Sequence, residues 1–282
     1  MIDPIPRLRI YIPQAHIDAL ALALIDGGAP GVEESAGELI CYPDGEKQLQ
    51  EFRSIVNGFV RRLELDKGDV KIEVEKISAN YHDSWLAALT PEKITDTYTL
   101  RPTHCAPAPP HEATIWFEAQ ASFGSGEHAT TRLASQFVED FIQAAPKTTC
   151  LDVGTGTGVL SLVAAKSGAT EIVAVDIDEI SVQAARKNSE LNHESSNISC
   201  SQGSAASVES SFQLVLANIN TPILRDIAPA LAARVCPQGS LMLTGLLDED
   251  IHELECIFNG LGLSKVAERQ SAPWSLLHLR RA

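Results

Sequence analysis

The stretch Leu151-Asp152-Val153-Gly154-Thr155-Gly156-Thr157-Gly158, followed by Ile172-Val173-Ala174-Val175-Asp176, decides how this chain is read. The first run is a buried strand that turns through glycines into a helix. The second ends the neighbouring strand in a carboxylate. Gly154, Gly156 and Gly158 remove Cβ atoms where a tight strand-to-helix turn lets a ligand lie against the main chain and lets the helix pack closely on the sheet. Asp176 lies about 20 residues on, the separation at which an acid accepts both hydroxyls of a ribose. Together these residues describe a nucleoside pocket. The spacing G-x-G-x-G differs from the dinucleotide fingerprint G-x-G-x-x-G, and Asp152 precedes it on the strand. A carboxylate there repels a pyrophosphate but suits a positively charged ligand, such as the sulfonium and ammonium of S-adenosylmethionine. An ordinary glycine-rich α/β turn with two solvated aspartates is the plainer explanation, and the spacing of both acids argues against it.

Working outward, strands and helices alternate from about residue 119 onward. A helix is predicted over 131–142, then strand 150–153, helix 157–167, strand 171–176, helix 179–191, strand 197–201 and strand 213–218. Helix 221–235, strand 239–244, helix 248–260 and strands near 263–268 and 274–279 follow. Such alternation implies a doubly wound, mostly parallel, Rossmann-like sheet, with ligands at the carboxyl ends of its strands. Gly154, Asp176 and Asn218 all fall at such ends. Before this region, residues 1–77 carry the order β-α-β-β-α-β of a small split βαβ, ferredoxin-like domain. Its second helix, over 46–63, has Leu49, Phe52, Ile55, Val56, Phe59 and Val60 on one face. Residues 78–118 read as a connector containing Trp85, taken as a domain-interface anchor, a proline cluster and a strand at 114–117.

Two further segments converge on the same strand ends. The apolar run Leu214 to Ala217 stops abruptly at Asn218-Ile219-Asn220. An asparagine there caps the next helix or faces the reacting group of a ligand, and Thr221-Pro222 favours a helix start directly behind it. The loop Phe123-Gly124-Ser125-Gly126-Glu127-His128-Ala129-Thr130-Thr131 reads as a lid, with Thr130 or Thr131 capping the following helix so that its amides point at a ligand carboxylate.

Composition bounds the partners. The chain has 282 residues and a formal net charge of -15. Its Lys and Arg form only short pairs such as Arg61-Arg62, so free nucleic acid is not expected as a principal ligand, whereas a basic protein substrate is compatible. No apolar run reaches membrane-spanning length and the amino terminus lacks a signal-peptide layout, so a cytoplasmic protein is expected. The six cysteines show no C-x-x-C pair, which argues against a disulfide framework or zinc knuckle. His104, Cys105 and His111 lie among prolines and are not taken as metal ligands.

The loop around Phe123, the turn L-D-V-G-T-G-T-G-V-L, the A-V-D-I-D strand end and A-N-I-N together resemble the ribosomal protein L11 methyltransferases. Residues 85–102 and Trp274-Ser275-Leu276-Leu277 extend the similarity over nearly the whole chain. The resemblance implies a class I methyltransferase with a small amino-terminal substrate-recognition domain. It implies S-adenosylmethionine as cofactor, bound at Thr131, Gly154, Asp176 and Asn218, in agreement with the residue-level reading. That reading adds Phe123, Thr130, Asp152, Gly156 and Gly158 to the pocket, and gives Asn218 the orienting role in catalysis. The implied substrate is ribosomal protein L11, free or on the large ribosomal subunit, methylated on lysine side chains and at its amino-terminal amine. This chain departs from the family pattern at Ser125, Glu127, Ala129 and Asn220, and at Glu118-Ala119-Gln120 before the loop. The departures leave open the geometry of substrate entry, the number of methyls added and the roles of Glu127 and His128. Two other cofactor-sharing readings stay open: a methyltransferase of another protein or small amine, and a non-catalytic nucleoside-binding module. A nicotinamide-dependent oxidoreductase is disfavoured by the glycine spacing and the absence of a hydride-transfer acid.

Overall fold

The computed structural model describes residues 5–29, 32–35, 37–43, 45–63, 65, 68–77, 89–118 and 129–282. The chain divides into two compact units, Met1–Ala88 and Leu89–Ala282.

In the first unit, strand β1 (Ile5–Tyr11), helix α1 (Ile17–Asp26), strands β2 (Val32–Ser35) and β3 (Glu38–Cys41), helix α2 (Gly45–Arg62) and strand β4 (Lys71–Ile77) follow one another. The four strands pair in the order β2-β3-β1-β4, all antiparallel. β1 shows why this sheet has two unlike faces. Successive side chains of a strand point to opposite sides, so Leu8 and Ile10 are fully buried while Arg7, Arg9 and Tyr11 stand on the other face. The buried side meets Leu20 and Leu24 of α1 and Leu49, Phe52, Val56 and Phe59 of α2 in one core. The other side carries a cross-strand charge ladder: Arg7 with Glu75, Arg9 with Glu38 and Glu75, and Tyr11 with Glu73. The expected split βαβ order is the observed one.

The second unit opens with β5 (Glu92–Lys93), β6 (Tyr98–Pro102) and β7 (Ala113–Phe117), which form a three-stranded sheet of their own. The segment read from sequence as a connector over 78–118 is therefore built into the second unit from Leu89 onward. Trp85 lies outside the described residues. Then come α3 (Ala129–Ala144), β8 (Thr149–Val153), α4 (Val159–Ser167), β9 (Glu171–Asp176), α5 (Glu179–Leu191), β10 (Ile198–Gln202), β11 (Phe212–Asn218), α6 (Thr221–Arg234), β12 (Val235–Leu247), α7 (Ile251–Gly260), β13 (Leu263–Ser271) and β14 (Trp274–Arg281). The seven large-sheet strands run β10-β9-β8-β11-β12-β14-β13. The pairs from β10 to β12 are parallel, and β14 and β13 add an antiparallel edge. Leu151, Val153, Val175, Val215, Ala217, Leu241 and Leu243 share one core with Leu224 and Leu231 of α6 and Leu254 and Phe258 of α7. The alternate residues Cys150, Asp152, Ala174, Leu214 and Leu216 turn to the opposite face and are buried as well. A parallel sheet covered on both sides explains why these strands read as continuous apolar runs.

The order reverses at β8: the chain runs outward through β9 and β10, then returns to the other side of β8 as β11 and β12. A sheet of this kind opens a crevice at the carboxyl ends of the strands flanking that reversal. Register aligns those ends, because Val153 pairs with both Val175 and Ala217.

Because each unit has its own core, damage to one is expected to stay there. Phe52 is fully buried in the first unit, and Phe52→Ala should cost about 3–5 kcal/mol. In scanning calorimetry it should lower the unfolding transition of the first unit and leave that of the second in place.

Candidate functional site

Gly154, Asp176 and Asn218 are the residues that directly follow the aligned row Val153, Val175 and Ala217. Adjacent strands lie about 4.8 Å apart, so the acid and the amide flank the glycine, one strand to each side. Gly154 is the exposed residue of a turn whose neighbours are buried, which leaves bare backbone open at the centre of the row.

Asp152 holds the turn. Its Oδ2 accepts the hydroxyls of Thr155 and Ser161, each at 2.7 Å. Burial pushes the carboxyl up from its ordinary pKa, with the nearby Asp176 charge adding to the effect and the two hydroxyls opposing it. At 1 % exposure it presents no surface to a ligand. The sequence expectation that Asp152 meets a ligand cation is thus corrected to a structural latch within the turn. The rest of the turn is tied to β9: Gly154 N–H and Thr155 N–H donate to Val175 O at 2.8 and 3.1 Å. Gly158, at φ +82°, begins α4 where an added Cβ would lie 3.1 Å from Ala185 Cα. Close approach of α5 therefore demands glycine at that position.

Asp176 is half-buried and aimed by two backbone donors, Gly156 N–H to Oδ2 at 2.9 Å and Asp178 N–H to Oδ1 at 3.0 Å. A carboxylate has about four acceptor sites, so two remain for a diol. Beside it Ile177 is 75 % exposed, a large apolar side chain placed to cover the flat face of a base. Sequence reading passed over Ile177. Its signal was an isoleucine directly after the strand-end acid, where an amphipathic strand has already ended.

The two roles weighed for the asparagines separate cleanly. Asn220 is the cap of α6, its Oδ1 accepting Ile223 N–H at 3.2 Å. Asn218 is half-buried, and its amide enters no hydrogen bond among the described residues. Capping is done by Asn220, and the Asn218 amide is left at the crevice.

Thr130 and Thr131 sit inside the first turn of α3, not at its cap as expected. Thr131 is 2 % exposed and its Oγ1 has no hydrogen-bond partner among the described residues. A buried hydroxyl without a partner costs about 1–3 kcal/mol, which a ligand acceptor would offset. Phe123, Glu127 and His128 lie outside the described residues. Asn188 and Asn192 also escaped the sequence reading. Asn188 donates to Thr157 O at 2.9 Å and accepts from Glu118 N–H at 2.8 Å, joining the glycine turn to the chain that leaves β7. Asn192 accepts from Trp116 N–H at 2.9 Å. Two asparagines four residues apart, one in the last turn of a helix and one capping its end, were the available signal.

The parts fit S-adenosylmethionine. Exposed backbone at Gly154, an aimed acid at Asp176 and the Asn218 amide, which no described residue takes, stand at neighbouring strand ends and offer acceptors and donors to its ribose and amino-acid ends. The Thr131 hydroxyl, unpartnered among the described residues, is a further candidate.

Asp152 allows a test of the latch. Its folded pKa is raised, so the stabilising form is the protonated one, and that contribution is lost as pH rises through the folded pKa. Asp152→Asn keeps an oxygen for both hydroxyls without the buried charge. Near pH 7 the variant should melt no lower than the parent, and any advantage should shrink as pH falls toward the ordinary aspartate range of about 4. Thermal unfolding between pH 4 and 8 measures this. A difference that does not vary with pH would reject the shifted carboxyl.

Comparison with known proteins agrees with this geometry. A family profile described as ribosomal protein L11 methyltransferase (PrmA) matches residues 23–282. A ribosomal protein L11 methyltransferase of Syntrophotalea carbinolica is 28% identical, with 96% of each chain covered. One from Bacillus cereus is 34% identical over 84% of this chain and 86% of its own. The crystal structure of ribosomal protein L11 methylase from Lactobacillus delbrueckii subsp. bulgaricus superposes with a TM-score of 0.62 at 26% identity, covering 69% of this chain and 100% of that one. Sequence, fold and the crevice at the β8 switch point together place this chain in the ribosomal protein L11 methyltransferase family, as an S-adenosylmethionine-dependent enzyme with the class I methyltransferase fold.

Proposed function

We propose that this enzyme methylates amino groups of ribosomal protein L11, lysine side chains and the amino-terminal amine, in the cytoplasm and on L11 either free or on the large ribosomal subunit. The observation that carries the reading is the amide of Asn218, taken by no hydrogen bond among the described residues, one strand away from the exposed backbone of Gly154 and across it from the aimed carboxylate of Asp176. Among the described residues no helix is long and apolar enough to cross a membrane.

When bound, the cofactor supplies an electrophilic methyl group on a sulfonium. Asp176 would hold the ribose hydroxyls, Ile177 would cover the base, and the Thr131 hydroxyl would meet the amino-acid end. Thr130, Gly156 and Gly158 shape the wall around it. The remaining task is to present an amine lone pair in line. A lysine of ordinary pKa, about 10.4, must lose its proton, which costs roughly 4.6 kcal/mol at pH 7. Desolvation when the substrate closes over the crevice lowers that cost by disfavouring the ammonium. Orientation is the larger resource, since alignment of reacting groups contributes up to about 7–11 kcal/mol. Asn218 accepts a hydrogen from the amine through its side-chain oxygen and so points the lone pair. It is the catalytic residue of this reading. Glu127 and His128 are the candidates for carrying the proton away.

Recognition of L11 falls to the first unit. Its open sheet face, with Arg7, Arg9, Tyr11, Glu38, Glu73 and Glu75, offers paired charges and one aromatic ring to a protein surface. The net charge of -15 favours encounter with a basic partner.

Asp176→Ala should remove hydrogen bonds to a charged acceptor worth about 1.5–3 kcal/mol and weaken cofactor binding by at least about tenfold. Unchanged affinity in titration calorimetry would reject the pocket. A chain beginning at Leu89 should still bind the cofactor but fail to label L11 with radioactive methyl. Full labelling by that shortened chain would take recognition away from the first unit.

A further inference from the structure

Ile219, between the two asparagines, is packed against two glycines, one in the turn after β8 and one within β12. Its side chain crowds the place a Cβ on Gly154 would take, with Cδ1 and Cγ1 both 3.0 Å from that point. Its backbone presses on Gly245 of β12, where an added Cβ would meet Ile219 O at 2.8 Å and Ile219 C at 3.0 Å. Both glycines have left-handed backbones, φ +70° at Gly154 and +84° at Gly245. Gly245 also falls at the register break between Thr244 and Leu246 in the β12–β14 pairing. Ile219 N–H donates to Thr244 O at 3.1 Å, so the residue is held to β12 on its backbone side and to the glycine turn on its side-chain side.

We propose that Ile219 is a positioning residue for methyl transfer. It is a wedge between the Gly154 turn and the Gly245 bulge that sets where the Asn218 amide stands relative to the bound cofactor. The inference rests on the assignment of Asn218 and the cofactor made above. Ile219 acts through its neighbour: Asn218 is the preceding residue, so a tilt of the peptide at Ile219 displaces the amide directly. Misplacement of a reacting geometry by about 1 Å costs up to about a hundredfold in rate. The opposing glycines give the wedge a signature that simple space filling lacks. A methyl added at Gly154 presses on the Ile219 side chain, which must give by a few tenths of an ångström, whereas a methyl added at Gly245 collides with the Ile219 backbone.

The test uses the full chain, radiolabelled S-adenosylmethionine and purified ribosomal protein L11, with kcat and KM from methyl transfer and the cofactor Kd from calorimetry. All assays are run below the melting temperature of each variant. Ile219→Ala should lower kcat about tenfold or more while the cofactor Kd moves less than about threefold. Ile219→Val, which keeps Cγ1 and loses only Cδ1, should recover most of that rate. Gly154→Ala combined with Ile219→Ala should lose less than the product of the single losses, because the truncated side chain no longer meets the new methyl. Gly245→Ala combined with Ile219→Ala should show no such relief. A wild-type kcat for Ile219→Ala beside an impaired Asn218→Ala overturns the wedge alone, as does a loss confined to KM or equal relief at both glycines. A wild-type kcat for Asn218→Ala rejects the role of the amide, and the wedge with it.

Discussion

The crevice depends on one buried carboxylate. Asp152 sits inside the sheet at the step before the glycines, and a charge so placed is costly unless it is hydrogen-bonded. Thr155 and Ser161 meet that demand from the turn itself and from the helix behind it, both at 2.7 Å. The same two bonds therefore satisfy the acid and bind the end of β8 to the start of α4. A turn with three left-handed glycines has little intrinsic reason to hold one shape. The carboxylate gives it one. Asp176 then uses the turn in return, taking the Gly156 N–H so that its own orientation depends on the path Asp152 imposes.

From that point rigidity spreads by backbone contact. Asn188 carries it from Thr157 to Glu118, at the end of the segment that follows β7. Ile219 carries it across Gly154 to the end of β11, and Gly245 passes it on to β12. Each contact is between a main chain and a side chain or a second main chain, which is why glycine, asparagine and one isoleucine recur at the joints. Chemistry that relies on alignment more than on a strong acid or base needs such joints, because its rate is set by position.

Much of this was legible in the chain as written. The glycine spacing, the strand-end acid and the alternation of strands with helices gave the fold class and the row of strand-end residues Gly154, Asp176 and Asn218. Period-two and helical patterns in the first 77 residues gave the split βαβ unit. The resemblance to the L11 methyltransferases rested on four short motifs, and the family match extends over most of the chain. Other parts were misjudged for identifiable reasons. Asp152 was read as facing a ligand because its charge suits one, but strand pleat turns it to the α4 side, where Ser161 waits. The threonines of α3 were read as caps because their side chains can cap, yet the helix already begins at Ala129.

What the sequence by itself determined is local. Turn chemistry, strand ends and hydrophobic period depend on residues within about one element of each other, so they survive reading along a line. What only the tertiary structure decided are the meetings between distant segments. The segment from Leu89 to Glu118 belongs to the second unit because Asn188 and Asn192, more than 60 residues away, take its backbone groups. The Asn218 amide is spared capping because Asn220 reaches Ile223 first. Gly154, Ile219 and Gly245 form one stack because β11 lies between β8 and β12. Strand order brings those residues together, and strand order follows from how buried surfaces pair in space, which no spacing along the chain encodes.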